Sequence, residues 1–377
     1  MCIRDRINSI HSFSQSPIGA WFLGFIAVIA VASIVLIIAR MPSLRSRTKM
    51  ESLVSREAAF LYNNLFLVAF ALTLTILWGV AYPILHEAVV GESRIVGPSY
   101  YNFFVRVFGL PLLLLMGIGP LVAWRRASLR GLARVFAWPA GIALATGALL
   151  ILLGAGSSIP GLIAYTFSAF VLASIALEFI RGTRARRSLV GGSWPGAFSA
   201  LIGRNRRRYG GYIVHAAIVL LAIGIAGSSA YDTVGERRLE RGDTLAVGDY
   251  RLTYRGLEER EAANATEIRA VLGVERGDER LGTVEAGKNA YTAERQVSNE
   301  VGIRSDLLTG EDLFVIAEQV NADGSVYVRA FVKPLVNLIW LAGLVFVLGA
   351  LITLWPDARE QRRLATRYEG AEAPVRP

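Results

Sequence analysis

The stretch Arg206–Gly227, RRRYGGYIVHAAIVLLAIGIAG, opens on three arginines, continues as an apolar run long enough to cross a membrane, and carries a histidine at position 215. The chain has only three histidines in 377 residues. A hydrocarbon layer of about 30 Å takes roughly 20 apolar residues to span, and a helix can do it because it satisfies its own backbone N–H and C=O groups. Seven segments have that length, approximately 17–39, 60–82, 104–124, 137–155, 160–180, 211–230 and 335–355. Composition agrees: 53% of residues are hydrophobic, 19% are charged, and the mean hydropathy is +0.44. That is too much apolar surface for an ordinary soluble protein. The expected fold is mainly α, a polytopic transmembrane helical bundle of about seven spans.

Working outward from Arg206, the basic residues cluster on alternate connections. One face carries Arg40, Arg45, Arg47, Lys49 and Arg56; then Arg125, Arg126, Arg130 and Arg134; then the series from Arg181 to Arg208; and, after the last span, Arg359, Arg362, Arg363, Arg367 and Arg376. Basic residues in short loops stay on the cytoplasmic side, so the N-terminus is placed outside and the C-terminus inside. The net charge of +10 is then explained by topology and contact with anionic lipid rather than by nucleic acid. Cys2 is the only cysteine, which excludes a disulfide framework, a Cys-x-x-Cys redox pair and a Cys-x-x-Cys-His attachment site.

Between the last two spans the composition turns polar. DYRLTYRGLEE, TEIRAVLGVERG and GSVYVRAFVKP alternate apolar with polar residues between Gly and Asp turn signals, the pattern of strands. A small β-rich extracytoplasmic domain is expected there. The division read from the sequence is an outward-facing segment 1–16, a six-span bundle 17–230, the β-rich domain 231–329, a last helix 330–355 and a cytoplasmic tail 356–377. The opening MCIRDR is neither a signal peptide nor a helix start. It joins a stretch that reads like the middle of a protein, so an artefactual start is expected. The loop RGTRARRSLVGGSWPGAFSALIGRNRRRYGG should lie along the membrane interface, its arginine stems snorkelling.

His215 falls near the cytoplasmic third of its span at about 1.5 Å of rise per residue. A polar residue at that depth points to function and a bundle-interior position, or to an interhelical hydrogen bond of about 1 kcal/mol. As a ligand, a neutral imidazole suits zinc, copper or haem iron. The spans offer no second histidine and no cysteine for a closed metal site, while Gly210, Gly211, Ala216 and Ala217 leave room for something large and flat. His11 precedes the first span and His86 follows the second, both on the outer face, where each also reads as an exposed interfacial residue.

INSIHSFSQSPIGAWFLGF, SREAAFLYNNLFLVAFALTLTILWGVAYPILHE, VGPSYYNFFVRVFGLPLLLLMGIGPLVAWRR, RRRYGGYIVHAAIVLLAIGIAGSS and EVGIRSDLLTGEDLFVIAEQ occur in that order. With VYVRAFVKPLVNLIWLAGLVFVLGALITLWP closing the chain, they resemble successive blocks of the CcmF-type cytochrome c haem lyases, a family that includes NrfE and CycK. The resemblance implies a bacterial inner-membrane protein that accepts haem from a CcmE-type chaperone and promotes its thioether attachment to apocytochrome c, alongside CcmH/CcmI-type maturation proteins. It implies two ligand roles. His11 matches one of two outward-facing axial ligands to the transient substrate haem at the periplasmic face. His215 matches the later of two transmembrane ligands to a haem b within the bundle. His86 matches no defined role.

The departures are equally specific. No tryptophan-rich WGxWWxWDP-like block occurs, and neither the first outward-facing histidine nor the earlier transmembrane one is present. In the family these precede the position of His11, so the chain is expected to be a C-terminal portion unable to catalyse ligation alone. Two other classes compete: a non-catalytic scaffold for cytochrome assembly, and a transporter. The latter needs broken helices in paired repeats. Pro111 and Pro120 interrupt the third span without a matching partner.

Overall fold

The computed structural model describes residues 18–44, 52–92, 94, 96–122, 128–291, 296–306 and 309–356. His11 lies outside them. Helix α1 runs Ile18–Leu44, α2 Arg56–Val90, α3 Pro98–Leu121, α4 Leu129–Leu152, α5 Ile159–Val190, α6 Trp194–Arg204, α7 Arg206–Ala230 and α8 Asn337–Leu354. Seven of these are long and apolar enough to cross a membrane, all but α6, and they coincide with the seven apolar segments of the sequence. The chain is a multi-pass membrane protein. It divides into two compact units, residues 1–138 and 139–377, with the boundary inside α4.

In the first unit the helical backbone changes its bonding period twice. Leu61–Leu72 of α2 and Val105–Gly109 of α3 are π-helical, the second lying just ahead of Pro111, and such insertions relax the ladder where a turn cannot close normally. Thus α3 continues through Pro111 rather than breaking there. Ser55 caps α2, its Oγ accepting from the Ala58 amide at 3.1 Å. Next to it, Arg56 does more than set topology. Its Nε donates to the Gly119 carbonyl at 2.7 Å and its Nη2 to the Pro120 carbonyl, so a cation closes the C-terminal end of α3, where carbonyls are left without helical partners.

In the second unit, α5 starts at a Ser158 cap with Pro160 in the first turn and extends ten residues past the expected end at 180. Alanine and arginine are good helix formers, so the basic extension stays helical until Gly191 and Gly192, with φ of +74° and +94°, reverse the chain. The interfacial loop is thereby partly a helix, α6, which the sequence reading did not assign.

The strands are β1 Thr233–Leu239, β2 Thr244–Val247, β3 Tyr250–Glu261, β4 Ala265–Arg276, β5 Glu279–Tyr291, β6 Gln296–Glu300, β7 Gly302–Asp306, β8 Glu311–Val320 and β9 Val326–Pro334. They form two antiparallel sheets, β1-β9-β8-β7 and β2-β3-β4-β5-β6. Alternate residues point inward, such as Val326, Val328, Ala330 and Val332 of β9 against Tyr250, Leu252 and Tyr254 of β3, which makes a β-sandwich core. The turn before β9 is fixed by Ser325, whose hydroxyl donates to Asp323 at 2.6 Å and whose amide donates at 3.0 Å. The hydroxyl bond, then the amide bond, holds the Asp323 carboxyl below its ordinary range.

The expected last helix of 330–355 is corrected by these bounds. Residues up to Pro334 belong to β9, because β1 pairs along it from Thr233↔Val332 to Leu239↔Val326 and β8 pairs as far as Glu311↔Pro334, which keeps it extended. The edge pair brings the two ends of the domain together over α7 and α8.

Candidate functional site

The α7–α8 pair sets where His215 can face. Gly210 meets Thr353, with its missing Cβ only 2.9 Å from the Thr353 amide nitrogen, and Gly349 brings its own missing Cβ 2.8 Å from the Val214 nitrogen. Gly224 fits the same way against Ile339 and the Leu335 carbonyl. Such small-residue contacts let backbones touch in the absence of a hydrophobic drive. They fix the rotation of α7 about its axis. Five residues on from Gly210, His215 lies about 140° around the helix, turned away from α8.

There the ring is partly buried, and its Nδ1 has no hydrogen-bond partner among the described residues. The alternative left open by the sequence, an interhelical hydrogen bond through this nitrogen, is therefore not made. Leaving a buried polar nitrogen unpaired costs about 1–3 kcal/mol, and such an orphan calls for an explanation.

Toward the arginine-rich end of α7 lies a polar cluster that the sequence reading missed. Arg208 Nη2 donates to Glu178 Oε2, Arg208 Nε to the Tyr212 hydroxyl at 3.0 Å, and the Tyr212 hydroxyl to Glu178 Oε2 at 3.2 Å. The Glu178 side chain is 12% exposed and that of Arg208 51%, so the carboxylate is buried and its partner reaches the surface. Phe179 packs on Tyr209 at 5.0 Å and on Phe198 at 5.5 Å, and Gly182 admits the Tyr209 hydroxyl. The one sequence signal for this cluster was an acidic residue inside the apolar 160–180 segment. His215 stands one turn beyond Tyr212 on an adjoining face.

His86 is accounted for locally. Its Nδ1 lies 2.9 Å from the Glu92 carbonyl and its ring packs on Tyr82 at 5.5 Å, near the Gly91 cap that ends α2. His86 and His215 belong to different units. No group of three or more His, Cys, Asp or Glu able to hold a metal ion occurs among the described residues, so what His215 offers is a single imidazole.

Comparison with known proteins accords with this arrangement. Residues 230–334 match the family model described as the CcmF C-terminal beta-sandwich, the interval from the end of α7 to the end of β9. The chain is 30% identical over 375 residues to the cytochrome c-type biogenesis protein CcmF of Pseudomonas aeruginosa, covering 97% of this chain and 53% of that protein. To CycK of Rhizobium meliloti it is 28% identical over 348 residues, 92% of this chain and 50% of the relative. A solved structure of the cytochrome c heme lyase CcmF superposes with a TM-score of 0.62 at 27% identity, covering 81% of this chain and 46% of that one. The chain spans about half the length of the curated relatives it matches. Helices, sandwich and sequence coincide along nearly all of it, and the chain belongs to the CcmF/CycK family of cytochrome c-type biogenesis proteins.

Proposed function

We propose that the chain acts in cytochrome c maturation as the C-terminal portion of a haem lyase in the bacterial inner membrane, its N-terminus periplasmic and its C-terminus cytoplasmic. The observation that carries this reading is the buried ring nitrogen of His215, without a partner among the described residues, in a span of a CcmF-like bundle. A neutral imidazole in an apolar wall is a fitting axial donor, and the residues present fit a haem b held from one side. His215 would be this chain's contribution to holding that haem.

A haem bound there would supply one-electron chemistry for reducing the substrate haem. His215 would hold such a haem through its imidazole, and the α7–α8 glycine contacts fix the rotation of the helix that presents it. Arg208, Glu178 and Tyr212 tie α7 to α5 on the cytoplasmic side. His11 is the axial ligand for the substrate haem, delivered by a CcmE-type chaperone and passed to apocytochrome c with CcmH/CcmI-type proteins. Ligation forms a carbon–sulfur bond as each cysteine thiol adds across a vinyl group, its hydrogen ending on the neighbouring vinyl carbon. No general acid or nucleophile from this chain is demanded. Its contribution is proximity and orientation, which can remove several kcal/mol of a bimolecular barrier.

The test is the reduced absorption spectrum of the purified full-length protein. His215→Ala is expected to abolish a bis-imidazole haem signal, whereas His11→Ala leaves that signal in place and lowers cytochrome c yield. An unchanged spectrum in the His215 variant rejects the assignment and returns the chain to the scaffold reading. Loss of the signal in both variants rejects two separate sites.

A further inference from the structure

The turn between α5 and α6 has features that the haem reading does not use. Gly191 and Gly192 fold the chain back so that Trp194 lies over Arg187, with the guanidinium carbon 5.1 Å from the ring centroid. Arg187 Nε donates to the Gly192 carbonyl at 3.1 Å, which orients the guanidinium. One turn earlier, Arg184 lies on the same helix face. The two arginines, Ser188, both glycines and Trp194 line an open recess of about 430 Å³. Among the described residues no carboxylate pairs with Arg184 or Arg187, while Glu178 is engaged by Arg208.

The residues next to the recess along the chain are apolar. Leu189 and Val190 are exposed, and so are Trp194 and, beside its contact with Phe179, Phe198. Exposed tryptophan is enriched at the membrane interface. Cation beside exposed apolar side chains is the pattern an anionic lipid matches, its phosphate at the guanidiniums and its acyl chains along those side chains.

We propose that the angle between α5 and α6 is a binding site for the phosphate-bearing headgroup of an anionic phospholipid, held by Arg184 and Arg187 with Trp194 as its wall. The site anchors the cytoplasmic end of α5 at the bilayer surface, and it does not depend on the haem reading.

The test is native mass spectrometry of the full-length protein titrated with phosphatidylglycerol or phosphatidylcholine. Arg184→Gln/Arg187→Gln is expected to weaken phosphatidylglycerol retention by on the order of fivefold per arginine, roughly 25-fold together, with phosphatidylcholine unaffected. Arg184→Lys/Arg187→Lys should recover most of it. Arg130→Gln/Arg134→Gln removes the same charge from another basic connection and should leave retention unchanged. Equal losses in the two Gln pairs would show a diffuse electrostatic field rather than a site, and no loss in either would overturn the proposal. Displacement of the lipid by inorganic phosphate would reassign the recess to free anions.

Discussion

Gly349→Leu is expected to cost about 3 kcal/mol of stability and to lower the yield of folded protein from the membrane. The added Cβ would stand 2.8 Å from the backbone nitrogen of Val214 and 3.1 Å from the carbonyl oxygen of Gly210. Neither is the end of a flexible side chain, so only separation of the helices relieves the clash. That separation opens the whole line of contact, since Gly210 and Gly224 fit α8 as tightly. Gly343 provides the control on the same helix. A Cβ there meets nothing within 4 Å, and Gly343→Leu should change stability by no more than about 0.5 kcal/mol. Thermal unfolding in detergent measures both. If the two variants behave alike, helix propensity or lipid exposure governs the effect, and the close α7–α8 contact does not. Because the same contact sets the rotation of α7, Gly349→Leu should also weaken any His215-dependent signal without touching the histidine.

The spans were legible in the sequence because a membrane imposes length and apolarity on each helix separately, and no tertiary information is needed to see Pro98–Leu121 or Asn337–Leu354. The sandwich was legible for a related reason. β3, β4 and β9 alternate sharply enough that Tyr250, Leu252 and Tyr254, or Val326, Val328 and Ala330, point to one face whichever strand they pair with. The pairing itself was not legible. That β9 lies between β1 and β8 depends on contacts across the whole insertion, and it is this pairing that carries the strand to Pro334.

α6 was missed because eleven residues with Gly and Pro at their start read as loop, and its packing on Phe179 makes it a helix. Arg208 and Arg56 were read only as markers of membrane side. In the structure each also bonds a specific partner, Glu178 for one and the end of α3 for the other. Position and charge fix topology; the partner emerges only when helices meet. For His215 the sequence supplied the anomaly and the structure its character. The run from Arg206 to Gly227 could not reveal whether the ring was satisfied, because that depends on what the neighbouring helices bring to it.

The extramembrane sandwich offers a sharper test of how far the two parts of the second unit depend on each other. Gly287, in the middle of β5, is paired with Arg269 of β4 and Glu300 of β6, and a Cβ on it would land on the Ile268 carbonyl oxygen. Gly287→Val therefore drives backbone from backbone inside a central strand, with an expected cost of about 3 kcal/mol or more. In Gly273→Ala the new methyl meets only the Arg255 guanidinium, at 3.0 Å. That group can swing away, and the loss of glycine entropy favours the change by up to about 1 kcal/mol. Limited proteolysis should then cut the Gly287 variant within residues 233–334 while leaving the Gly273 variant intact. The helices satisfy their own backbone groups and α7 still meets α8 through glycine, so the membrane-embedded fragments should stay associated after cleavage. Their dissociation would mean that the β1–β9 pair, rather than the helix contact, holds the last two spans together.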